Sequence, residues 1–210
     1  MPRPHPTTPI QVKLALVAAL LGAVAWWYTG WQDLRGNERR LSAIASQIAG
    51  RDVRVQCPGP IGRMFGWDIV EGSVRFDADG TPHDETKLRT QSCAELDALA
   101  EGRRQDELAC IGRTGIACGR HGRATVMAVD VLAHEAWHLR GVIDEGETEC
   151  RSLQTMAWTA QQLGATAEQG RAMARAQYDG AYQDMPDQYR HGGCVDGGPL
   201  DLRPDDPRFP

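Results

Sequence analysis

A chain of 210 residues carrying a formal net charge of −5 has room for one domain of ordinary size plus a targeting segment and a tail. Its acidic balance excludes a nucleic-acid-binding surface, which needs a basic patch, so no nucleic-acid partner is expected. With only 6% aromatic residues, the core must be built from Leu, Val, Ile, Ala and Met around Trp67, Trp137 and Trp158, a modest core that benefits from covalent staples.

Residues 1–11 form a Pro-rich N-terminal segment. From Leu14 to Tyr28 the chain is uncharged and mostly Ala, Leu and Val. The span 12–30 therefore has the roughly 20 residues that a transmembrane helix needs, and Trp26-Trp27-Tyr28 suits the interfacial aromatic belt. Ala23-Val24-Ala25 also fits a signal-peptide cleavage site, which would leave a secreted protein cut after Ala25. Bulky Trp26 immediately after that site favours an uncleaved, single-pass anchor in the cell membrane.

A linker helix is expected over 31–50, with Leu41, Ile44, Ala45 and Ile48 at helical spacing from Asn37 to Ala49. Residues 51–185 form the main domain. Val53 to Cys57 alternates as a short strand and stops at Pro58-Gly59-Pro60; a second extended run covers Asp68 to Phe76. Asp77-Ala-Asp-Gly80 lacks the closing Glu of a calcium loop and reads as a solvated turn.

Ser92-Cys-Ala-Glu95 has capping-box spacing and should open a helix running to about Gly102. The Gly-rich stretch from Cys110 to Cys118 reads as a hairpin or loop under the site. A long helix follows from about Ala124 to a Gly141 stop, burying Val126, Ala133 and Trp137. Asp144 caps the next helix, Glu145 to Leu163, and Thr166 opens another through about Gln183, whose Arg171, Arg175 and Gln177 look solvated. Residues 186–210 form an extended tail tethered by Cys194. The fold class is thus α+β, predominantly α, with a small β element.

Six cysteines, even in number and with no CxxC pair, read as disulfides in an oxidising compartment, which places the main domain outside the cytoplasm. Cys110 with Cys118 is the first expected pair, and Cys57–Cys93 with Cys150–Cys194 completes one of the fifteen possible sets.

The chemistry concentrates in His134-Glu135-Ala-Trp-His138. Histidines four apart share one helix face and can hold one metal ion; the intervening Glu135 is placed to take a proton from water. A catalytic zinc needs a third protein ligand. Here the chain resembles the zincin zinc metallopeptidases. Asp144-Glu145-Gly-Glu-Thr-Glu149 is similar to the gluzincin pattern of a ligand glutamate followed four residues on by an acid, with a shorter interval after the second histidine. The resemblance implies a zincin-like active-site helix and helical hairpin, Zn²⁺ held by His134, His138 and Glu145, Glu135 as catalytic base, and Glu149 orienting a ligand histidine. Glu149 and Asp144 remain alternatives for the third ligand. With Asp144 in that place, His134-x₃-His138-x₂-Gly141-x₂-Asp144 resembles the metzincin pattern of snapalysin-like peptidases.

The expected activity is hydrolysis of peptide or protein substrates by a membrane-anchored extracytoplasmic enzyme. The rival is a non-catalytic zinc-containing, disulfide-stapled binding or structural domain on the cell surface. For the oxyanion, Tyr178, Tyr182, Tyr189 and His191 are available and none is singled out.

Overall fold

The computed structural model describes residues 9–59, 71–206 and 208–210, with the side chains of 9–11 and 26–34 outside the description. The chain divides into two units, 1–36 and 37–210. Helix α1 runs unbroken from Pro9 to Ala49, so the expected anchor and linker helix are one element. No proline interrupts it after Pro9, and Gly22, Gly30 and Gly36 weaken a helix by only about 1 kcal/mol each without breaking it.

In the first unit, Val12, Leu14, Leu16, Val17, Leu20, Leu21 and Val24 are all exposed. No helix among the described residues is long and apolar enough to cross a membrane. The aromatic belt of Trp26, Trp27 and Tyr28 lies beyond the described side chains.

The second unit begins where α1 turns amphipathic. Leu41, Ile44, Ala45 and Ile48 are buried at the expected helical spacing. Strand β1 (Arg54–Gln56) pairs parallel with β3 (Pro82–Leu88), and β2 (Gly72–Phe76) pairs antiparallel with β3 on its other side. β3 is therefore central, although its sequence Pro-His-Asp-Glu-Thr-Lys-Leu hides it. Only Thr86 and Leu88 are buried; Pro82, His83 and Glu85 are half-buried, and Asp84 and Lys87 are exposed. Positions 60–70, which include Trp67 and the start of the expected second strand, lie outside the described residues.

Helix α2 runs Thr90–Ala100, two residues ahead of the expected start, and the Ser92 capping box does not form. Ser92 instead donates to Glu71, while the Glu95 carboxylate is taken by Arg104, His121 and Thr125. Helix α3 (Gln105–Thr114) takes up the first half of the expected hairpin or loop, and 115–118 is loop: Asp106 and Glu107 favour the helix N-terminus, Arg113 its C-terminus, and Gly115 at φ +67° ends it. The Cys110–Cys118 disulfide then bridges helix and following loop.

Three longer helices complete the domain. α4 covers Gly119–Leu139, α5 Glu145–Gln162 and α6 Ala167–Asp179. α5 packs against both α4 and α6 through a core that includes Leu132, Leu139, Leu153, Met156 and Met173, all fully buried. Each such side chain contributes roughly 1.5–3 kcal/mol by leaving water. α6 stops at Gly180, short of Gln183, and a 3₁₀ turn (Ala181–Asp184) continues the chain. Gln177, expected on a solvated face, is buried.

The tail is irregular apart from a 3₁₀ turn at Asp187–Tyr189. Cys150–Cys194 ties it to α5, and the Gln154 side chain bonds both Leu200 and Leu202 of its backbone. The third disulfide is Cys57–Cys93. All three bonds match the expected pairs. The fold is thus predominantly helical with a small sheet and three disulfides.

Candidate metal centre

The short α4–α5 connection brings the two histidines to the acidic start of α5. Gly141 adopts φ +107°, a conformation that side-chain-bearing residues rarely reach, and lets the chain reverse immediately after α4. Asp144 then caps α5 by accepting the Glu147 amide at 2.8 Å. Asp144 is thereby committed to the cap and is not among the clustered donors.

His134 Nε2 lies 3.0 Å and His138 Nε2 3.3 Å from the same oxygen, Oε2 of Glu145. The opposite ring nitrogens are both engaged elsewhere. His134 Nδ1 meets Glu149 Oε2 at 2.9 Å, and His138 Nδ1 meets the Val142 carbonyl at 2.7 Å. Each Nδ1–H donates to its partner, so Nε2 is the ring nitrogen that faces Glu145 and that a metal would take once its proton is lost. One donor atom each from His134, His138 and Glu145 falls within a 4.8 Å cluster. Two imidazoles and a carboxylate are a donor set that suits Zn²⁺. The Glu145 side chain is 38% exposed against 12% for His134 and 8% for His138, so the cluster is closed by protein behind and open in front.

Glu135 is buried beside this cluster, although α4 alone would not hold its carboxylate in place. Thr86 on central strand β3 lies with its hydroxyl 3.2 Å from Glu135 Oε2 and 3.0 Å from the Ser73 carbonyl, one proton serving both. Gly72 on edge strand β2 supplies the room: a Cβ there would stand 2.6 Å from Glu135 Cγ and 2.7 Å from Cδ. Burial raises the Glu135 carboxyl to about 7, against the lowering effect of His134 and of the Thr86 hydrogen bond. That is the range in which a general base works near neutral pH.

The other groups shift as a set. Burial works to lower His134, but hydrogen bonds to Glu145 and Glu149 and the surrounding carboxylates raise it to about 10. His138 is lowered by burial and by the charge on His134. The His134 hydrogen bond and both imidazoles hold Glu145 below the ordinary carboxylate range, against its partial burial. Burial and the neighbouring Glu149 hold Asp130, one turn before His134, well above that range.

The centre opens into a cleft of about 330 Å³ that includes Gly72, Met127, Val131, Met185, Pro186 and Tyr189 in its lining. Phe76 meets the His138 ring edge-on at 5.9 Å and Tyr189 sits 6.1 Å from that of His134. The cleft therefore lies between the edge strand and the tail. Met156 on α5 and Met173 on α6 are buried core residues.

Sequence reasoning missed Thr86, Gly72 and Asp130. A charged residue one turn before His134 in an apolar run was a readable signal for Asp130. Nothing in the local sequence connects Thr86, 49 positions before Glu135, or Gly72, still further back, to that residue. Comparison with models of known families, with characterised proteins and with solved structures finds no match.

Proposed function

We propose that this protein is a zinc-dependent metallopeptidase of gluzincin-like design with a short ligand interval, acting outside the cytoplasm and anchored through residues 12–30. His134, His138 and Glu145 would hold the metal. The observation that carries this reading is the convergence of both Nε2 atoms on one Glu145 oxygen, with both Nδ1 atoms bound elsewhere. Bound there, Zn²⁺ supplies Lewis acidity toward a substrate carbonyl and brings the pKa of a water toward neutrality.

The chain's own residues do the rest. Glu135 accepts the proton of the attacking water and passes it to the departing amine. Thr86 and Gly72 hold its carboxylate at one position. Glu149 and the Val142 carbonyl keep the two imidazoles in the tautomer that leaves Nε2 free to coordinate. The cleft between β2 and the tail receives the peptide.

Glu135→Gln is expected to bind zinc with unchanged stoichiometry while peptide hydrolysis falls by about 10³-fold or more. Full hydrolysis by that variant would remove the mechanism. Zinc binding with no hydrolysis of any peptide library by the wild type would favour the non-catalytic surface-domain reading instead. Anchoring is supported by the row of exposed aliphatic side chains from Val12 to Val24 and by three disulfides, which belong to an oxidising compartment. The full chain should stay with the membrane fraction through alkaline carbonate extraction, and release into the soluble fraction would refute the anchor.

A further inference from the structure

Between Glu107 and Asp130 the chain carries no acidic residue, although its net charge is −5. That stretch holds Arg113, Arg120 and Arg123, all exposed, and among the described residues none of the three guanidiniums has an ion-pair partner. The fold gathers them. Arg113 lies on the last turn of α3, three residues after Cys110 and so on the same side of that helix. The Cys110–Cys118 disulfide brings this side to the start of α4, with the two Cα atoms 6.1 Å apart. Arg120 and Arg123 are neighbours on the first two turns of α4, whose N-terminus has no side-chain cap. Of the other charges nearby, His121 turns to Glu95 and Glu107 acts on Arg104.

Loop 115–118 joins the two helices as a fixed knuckle. Positive φ at Gly115 and Gly119 turns the chain at either end, and Thr114 Oγ1 accepts from the Ile116 amide at 3.2 Å. The disulfide closes the loop covalently. On it Ile116 stands 69% exposed, more than any other large hydrophobic residue described. An apolar tip flanked by unpaired cations matches a layer of phosphates with hydrocarbon beneath it: the guanidiniums meet the headgroups and the tip enters the acyl boundary. An acidic polypeptide or a nucleic acid would satisfy the arginines and leave Ile116 in water.

We propose that this knuckle, Ile116 with Arg113, Arg120 and Arg123, is a second membrane contact of the protein and selects anionic phospholipid. The inference uses the anchoring reading only to supply a bilayer and is independent of the zinc site. Each arginine near an anionic surface strengthens association by about fivefold, so three give on the order of a hundredfold. The chain outside the knuckle is net acidic and is repelled by the same surface, so the knuckle is the part that turns toward it. From Gly119 to His134 α4 rises by roughly 22 Å, which separates the contact from the cleft.

The test reads amide hydrogen exchange over 112–121 in the full chain, reconstituted with bilayers of phosphatidylcholine alone or mixed with phosphatidylglycerol. The mixed bilayer should slow exchange there by about threefold or more, and about 1 M salt, with its Debye length near 3 Å, should reverse the effect. Arg113→Ala, Arg120→Ala and Arg123→Ala combined should exchange alike in both bilayers. Ile116→Ser should show weaker protection that still responds to lipid charge. All four side chains are exposed, and unchanged exchange along α5 reports that each variant is folded. Equal exchange of the wild type in the two bilayers, or lipid-charge protection that survives loss of the three arginines, would overturn the proposal. So would equal protection by soluble polyglutamate that does not need Ile116, the mark of an acidic protein partner. The two membrane readings fail separately. A chain that carbonate releases, but whose exchange responds to lipid charge, loses only the anchor; an anchored chain with no response loses only the knuckle.

Discussion

Glu135 illustrates how little of a functional side chain's behaviour belongs to the residue itself. On a helix face alone, a glutamate is a flexible, solvated acid of ordinary strength. Here burial raises it to about 7, and strands β2 and β3 decide where its carboxylate sits. Gly72 sharpens the point, because the space that a methyl group there would need is filled by Glu135 itself. Gly72→Ala is therefore expected to displace the base by a few tenths of an ångström or more. Peptide hydrolysis should fall on the order of 10–100-fold, mostly in kcat, with zinc binding unchanged. An equal loss of zinc affinity would mean that Gly72 supports the whole centre and not the base alone.

At the level of elements, the centre is a property of the α4–α5 hairpin. Helical spacing sets His134 and His138 on one face, and the short reversal after Gly141 delivers the first turn of α5 to that face. Within that turn, adjacent acids do different work. Asp144 stabilises the helix end, while Glu145 one residue later faces the imidazoles. Two substitutions separate them. Asp144→Ala should cost about 1 kcal/mol in unfolding free energy and keep zinc. Glu145→Ala should lose zinc affinity by orders of magnitude, and it should also lower metal-free stability, because Glu145 is a partner of the protonated His134. The reverse pattern, followed by metal analysis and denaturant unfolding, would return the third-ligand position to Asp144. Trp137 reinforces the hairpin by donating to Thr155 at 3.1 Å, with Arg140 and Arg151 over its ring.

For the molecule as a whole, the site makes stability depend on pH and metal. In the metal-free protein His134 keeps its proton to about pH 10, whereas an unfolded histidine loses it near 6.5. The stabilisation this represents is fully present below pH 6.5 and is lost as pH rises through 10. Glu135 acts in the same sense at lower pH: raised from 4.5 to about 7, it lowers stability as pH rises across that window. The lowered His138 opposes both, costing stability as pH falls below about 6.5. Between about pH 6.5 and 10, unfolding of the chelated protein should therefore become easier, by an amount on the order of a few kcal/mol. Saturating zinc should abolish that decline by replacing the proton on His134. A flat chelated profile, read by thermal unfolding across pH, would contradict the buried His134–Glu145–Glu149 pairing.

Local pattern alone determined the parts that depend on neighbours in sequence. Helical spacing specified the His134–Glu135–His138 face, Gly141 and Asp144 marked the reversal, and Thr166 with Gln169 formed the capping box that opens α6. The even set of separated cysteines pointed to disulfides, while the pairing, one set among fifteen, was left to the fold. The local features follow from backbone geometry over a few residues. Tertiary structure decided the rest. Strand β3 hides in a polar sequence because only Thr86 and Leu88 are buried. Gln177 looks like a surface residue until α6 packs and brings it to Asp130, 47 positions away. The division of labour between Glu145 and Glu149 depends on which carboxylate reaches Nε2 and which reaches Nδ1. That is a matter of ångströms across a helix–helix contact, and no spacing rule along one chain encodes it.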